Sequence, residues 1–131
     1  MRIVRSVLLA ALASTSCSDD GVTSPTEVTS PVTVTWTTSL GPRGSASRTL
    51  TVTQSGTVSV TLQSALVPVG LGLGVPQANG SGCRTTFSTT ASPGPSPQLS
   101  APVEPGTYCV SVFDVVGIVE PITFSVTVVQ P

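Results

Sequence analysis

From residue 32 onward, aliphatic and hydroxyl side chains alternate with a period of two. Val32, Val34 and Trp36 fall at one parity, and Thr33, Thr35 and Thr37 at the other. Leu50 and Val52 alternate with Thr49, Thr51 and Thr53, and Val58, Val60 and Leu62 with Thr57, Ser59 and Thr61. Val67, Val69, Leu71, Leu73 and Val75 alternate with Pro68 and three glycines, Gly70, Gly72 and Gly74. Thr85 and Phe87 follow Cys83 at one parity. Tyr108, Val110 and Val112 alternate with Cys109, Ser111 and Phe113, and Ile122, Phe124, Val126 and Val128 with Thr123, Ser125 and Thr127. Successive side chains of a strand point to opposite faces, so each run offers one apolar face to a core and one hydroxyl face to water. Turn residues punctuate the runs: Gly41-Pro42-Arg43-Gly44, Gln54-Ser55-Gly56, 77–82, Ser92-Pro93-Gly94-Pro95 and Glu104-Pro105-Gly106. No window after residue 16 has a helical period. The pattern predicts an all-β, antiparallel β-sandwich with seven to eight short strands over residues 32–131.

Composition agrees with that pattern and excludes much chemistry. The 131 residues include 21 Val, 20 Thr and 19 Ser, an excess that favours strands. Charged residues are 8%, and there is neither Lys nor His. Five Arg make no basic footprint for nucleic acid. Without His, Ser-His catalysis and most zinc sites are excluded.

The first residues read as an export signal. Arg2 and Arg5 precede an apolar run, 7–13, which is long enough for a signal peptide and too short to span a bilayer. Ser14-Thr15-Ser16-Cys17 follows, and the chain then turns polar at Ser18-Asp19-Asp20. This segment resembles a bacterial lipoprotein signal, in which the cysteine becomes the lipidated first residue. It departs from that pattern at Ser14, where an aliphatic residue is usual. Cleavage after Ala13 is the alternative. The resemblance divides the chain into a signal peptide (1–16), a lipidated tether (17–31) and a sandwich (32–131). The tether's polar, proline-containing stretch, 18–31, would span roughly 20 Å r.m.s. as a flexible coil.

Three cysteines are an odd number for an exported chain. Lipidation of Cys17 leaves Cys83 and Cys109, which an oxidising compartment would join. The alternative is a pair of buried thiols. A bond between them closes a loop of 26 residues, worth about 3.5 kcal/mol by the chain-entropy estimate.

A second resemblance lies in the sandwich. Gly106-Thr107-Tyr108-Cys109-Val110-Ser111-Val112-Phe113-Asp114, after Leu99 and Pro102-Val103-Glu104-Pro105, resembles the penultimate strand of bacterial pre-peptidase C-terminal domains. The 54–62 segment is similar to an earlier strand of that family. The resemblance implies a jelly-roll-like accessory module with no catalytic role. Where the family often carries an Asp before its middle strand, this chain has Val69-Gly70-Leu71-Gly72-Leu73, which puts any calcium role in doubt.

Candidate sites are few. Glu104 and Asp114 flank one expected strand and should lie near opposite ends of it. Asp114 and Glu120 share a loop and are the weak metal candidates; a calcium ion wants six to eight oxygens there, and solvated loop acids are the alternative. Asn79-Gly80-Ser81 matches a glycosylation sequon and also reads as a tight turn. Trp36, Tyr108 and Phe124 share parity with valines and are expected in the core. Phe113 has the opposite parity and is the candidate ligand contact. The bare face of the glycine strand suggests either a buried position or edge pairing with another chain. No cofactor is expected. The expected function is a non-catalytic, lipid-anchored β-sandwich of the bacterial cell envelope, facing the outer membrane or periplasm, or else secreted. Its partners would be the membrane through Cys17 and a protein or glycan. The alternatives are a weakly self-associating coat or fibre subunit, or a carbohydrate-binding module.

Overall fold

A computed structural model describes residues 30–79 and 82–131. The strands in chain order are β1 (Val32–Leu40), β2 (Ser45–Val52), β3 (Gly56–Ser64), β4 (Val69–Pro76), β5 (Cys83–Ala91), β6 (Leu99–Val103), β7 (Gly106–Phe113) and β8 (Ile122–Gln130). They form two antiparallel four-stranded sheets, ordered β1-β8-β3-β6 and β2-β7-β4-β5. The first four strands pair with the last four in reverse, β1 with β8, β2 with β7, β3 with β6 and β4 with β5. The chain is therefore a long folded-back ribbon rolled into a jelly-roll sandwich.

The alternation decides what the sheets enclose. Val58, Val60 and Leu62 of β3 and Phe124, Val126 and Val128 of β8 face Val69, Leu71 and Leu73 of β4 and Val110 and Val112 of β7, and all are buried. The central strands carry the core, while β1, β6, β2 and β5 are edges. The hydroxyl face of β1 bonds across the ladder, Thr35 Oγ1 to Thr127 Oγ1 and Thr37 Oγ1 to Ser125 Oγ, each at 3.3 Å.

Four details depart from the alternation. β6 is a separate strand that the alternation does not mark, with Pro102 and Val103 in its ladder; Pro102 is tolerated because β6 is an edge. The expected strand 67–75 runs instead from Val69 to Pro76. Phe87 and Thr85 do not share a face. The pairing shifts between Leu73, opposite Phe87, and Gly74, opposite Thr85, so Thr86 is an extra residue and the parity reverses. The sequence also hides a bond made by Gln98. Its Oε1 accepts from Leu62 N at 2.7 Å and its Nε2 donates to Ser92 O at 3.0 Å, filling in where the β3 register shifts after Leu62.

The glycine strand β4 is the interior strand between β7 and β5, so neither of its edges is free for another chain. Its outer face is covered. A Cβ on Gly70 would overlap the Phe113 ring, one on Gly72 the Thr85 methyl, and one on Gly74 the backbone of Arg84 and Thr85. The start of β5 thus bends over β4 at Gly74. Cys83 bonds Cys109, which lies opposite Gly74 on β7. Strands two apart in a flat sheet lie about 9.5 Å from each other. The two Cα atoms here are 5.8 Å apart, within disulfide reach because β5 leaves the sheet plane above a residue without a side chain.

Gly74→Ala should therefore destabilise the domain by about 1–3 kcal/mol, because the clash is with backbone and not with a movable side chain. Gly41→Ala has open space around its Cβ and should stay within about 0.5 kcal/mol of wild type. Denaturant melts of both variants make the comparison, and equal stabilities would exclude the close approach. Reduction of the disulfide should lower the melting temperature, at about 4–8 °C per kcal/mol lost in a domain this size. Thiol titration of the unfolded, unreduced protein should find Cys83 and Cys109 unreactive.

Candidate binding groove

The two sheets close over their centres and part at their edges. Along one side the edges are β1 and β2. The inward parity of β1 carries Val34 and Trp36, and that of β2 carries Arg48 and Leu50. With no further strand to cover them, these side chains line a groove of about 200 Å³. Val110 and Val128 also line it, with Thr49, Thr51 and Gln130.

Trp36 points inward as its parity predicts, but it is half-buried rather than enclosed, because β1 is an edge strand with open space on its β2 side. Phe124, fully buried, meets it in a T-shaped contact with centroids 5.4 Å apart and planes at 84°. Such contacts hold an aromatic in one orientation. Arg48 is exposed, and its guanidinium has no hydrogen-bond or ion-pair partner among the described residues. Gln130 is only 8% exposed, and its Nε2 donates to Thr51 O at 2.6 Å. Its carbonyl oxygen has no protein partner among the described residues. Arg48 is the one titratable side chain lining the groove among the described residues. Among the described residues the groove therefore presents an indole, one guanidinium and the amide of Gln130 between aliphatic side chains.

Other candidates from the sequence are placed as follows. Phe113 is half-buried, and its ring lies over Gly70 and Gly72 because those residues leave the space. Tyr108 faces inward, half-buried, and its hydroxyl donates to Glu104 O at 2.8 Å and accepts from Glu104 N at 3.1 Å, tying down the turn before β7. Glu104 accepts from Ser55 Oγ at 2.5 Å. Cys17, the signal and most of the tether lie outside the described residues, as do Gly80 and Ser81 of the sequon.

Asp114 and Glu120 share the β7–β8 loop, but Asp114 serves the backbone. Its carboxylate accepts from the N–H groups of Arg43 (3.0 Å), Val116 (3.1 Å), Gly117 (2.8 Å) and Ile118 (3.0 Å). Arg43 sits at φ 56° in the Gly41–Gly44 turn, so one acid clamps two loops. Glu120 takes no part in this clamp, and no group of three His, Cys, Asp or Glu among the described residues is placed to hold a metal. No family model matches the chain, and a search of curated proteins finds no significant match.

The hydrogen bond from Arg43 N, with those from the other three amides, holds the Asp114 carboxyl below its ordinary value of 3.8. A depressed carboxylate stabilises above its unfolded value, and that contribution is lost as pH falls through the folded value. The amide shifts of Val116, Gly117 and Ile118 should therefore titrate together, with a midpoint below 3.8, and Asp114→Ala should abolish the titration. A midpoint at or above 3.8 would contradict the clamp.

Proposed function

We propose that this chain is an exported, lipid-anchored, non-catalytic binding module of the bacterial cell envelope. The observation that carries the reading is the bond between Cys83 and Cys109. A structural disulfide belongs to an oxidising compartment, in keeping with export. It accounts for two of the three cysteines and leaves Cys17, directly after the apolar leader, for the lipid. The resemblance of the Gly-Thr-Tyr strand to pre-peptidase C-terminal domains supports an accessory role. The groove between β1 and β2, lined among the described residues by an indole, a guanidinium and an amide and by no carboxylate or thiol, supports recognition as that role.

The glycan-binding version of this reading gains a specific support, since Trp36 lines a groove instead of filling the core. The coat or fibre version loses its proposed route, because β4 has no free edge.

Cys17→Ser should move the protein from the membrane to the soluble fraction of bacterial cells that export it. Mass spectrometry of the wild-type protein should find a diacylglyceryl-modified Cys17 at the N-terminus. A membrane-bound mutant, or a mature chain beginning at Ser14, would overturn the anchor.

A further inference from the structure

We propose that the β1–β2 groove is a subsite for one anionic sugar residue of a polysaccharide, a uronate or a sulfate ester. The inference rests on the reading of this chain as a binding module and supplies its ligand class. Trp36 provides the sugar contact. A pyranose ring has an apolar C–H face and a rim of hydroxyls, and an indole held in place buries that face at little entropic cost. Phe124 supplies the hold at 5.4 Å. Gln130 provides the direction. Its amide is buried with one end spent on Thr51 O, and the other end is an acceptor for a ligand hydroxyl. A buried carbonyl without a donor is costly, so this atom favours a hydroxylated guest over a hydrocarbon.

Arg48 provides the charge selection. It is one of three Arg in the sandwich, it lies at inward parity on an edge strand, and among the described residues no acid lines the groove to neutralise it. A guanidinium fork matches a carboxylate or sulfate better than it matches a neutral hydroxyl. The groove's size sets the length of the guest. At about 200 Å³ it is below the roughly 300–1,000 Å³ of pockets that enclose drug-sized molecules, so it takes one ring while the rest of the polymer runs out over the surface. An inward charge on an edge strand can also serve to block strand pairing between molecules. That role would need neither Trp36 nor the acceptor on Gln130 beside it.

The test is a titration of the purified full-length protein, with Trp36, its only tryptophan, as the reporter. The probes are trigalacturonate, its methyl ester, a sulfated galactan oligomer and the unsulfated oligomer. Saturable change in Trp36 emission is expected with trigalacturonate, the sulfated galactan or both, and which of them binds identifies the anion. The matching neutral probe should bind at least about tenfold more weakly. Arg48→Gln, at an exposed position, should fold normally and bind the anionic probe at least about tenfold more weakly, with less salt dependence.

Equal affinity for acid and ester would overturn the anionic assignment. So would an Arg48→Gln protein that aggregates yet binds as wild type does, which would leave Arg48 as edge protection. No response to either anionic probe at millimolar concentration, or a response only to an extended peptide added along β1 or β2, overturns the subsite altogether. Membrane fractionation of Cys17→Ser does not depend on the groove, so a silent groove on a properly anchored protein counts against this inference alone.

Discussion

At Gly74 the backbone of β5 occupies the space a side chain would fill. That close approach carries much of the second sheet's structure. It lets β5 bend out of plane and brings Cys83 to Cys109 across β4. It coincides with the register shift at Thr86 that turns Phe87 to the opposite face from Thr85. Gly70 and Gly72 extend the same device, since the Phe113 ring and the Thr85 methyl settle into their empty places. β4 is therefore buried on both faces from Val69 to Gly74, one face against the core and the other beneath side chains and chain from its own neighbours. Any residue larger than glycine at these three places would push that cover away.

The edges tell the complementary story. Sheets of four strands leave two edges each, and the sandwich opens where β1 stands beside β2. Residues patterned for a core become walls of a groove there. Val34 and Trp36 obey the same alternation as Val58 and Val60, yet the latter pair is fully buried and the former is not. The difference is the presence of a neighbouring strand. The same opening sets Arg48 at inward parity and leaves its guanidinium and the Gln130 carbonyl oxygen without a partner among the described residues. The groove thus arises where the fold stops covering itself.

Loops follow a third logic, in which single polar side chains do the work of secondary structure. Asp114 gathers four amides from two loops, Gln98 meets the backbone of β3 where its register slips, and Tyr108 locks the turn that precedes its own strand. Each satisfies backbone groups that no ladder reaches, which is the general requirement for irregular chain near a core. For Asp114 this explains why an acid that looked like half of a metal site in the sequence is fully engaged by the protein.

Alternation of Val and Thr was enough to determine an antiparallel sandwich and the inward face of nearly every strand. These follow from local geometry, because a strand's period is two wherever it lies. The sequence could not determine strand order, and the order decided everything specific to this molecule. It made β4 interior and β1 an edge, so the glycine face became a bed for Phe113 and Thr85, and Trp36 became a groove wall. It also recruited Pro102 into a strand and Arg48 into the lining of the groove. Exposure at the sheet edges depends on neighbours dozens of residues away, such as Gln130 beside Thr51 and Phe124 beside Trp36. No local pattern carries that information, because it is a property of which strands meet and which are left without a partner.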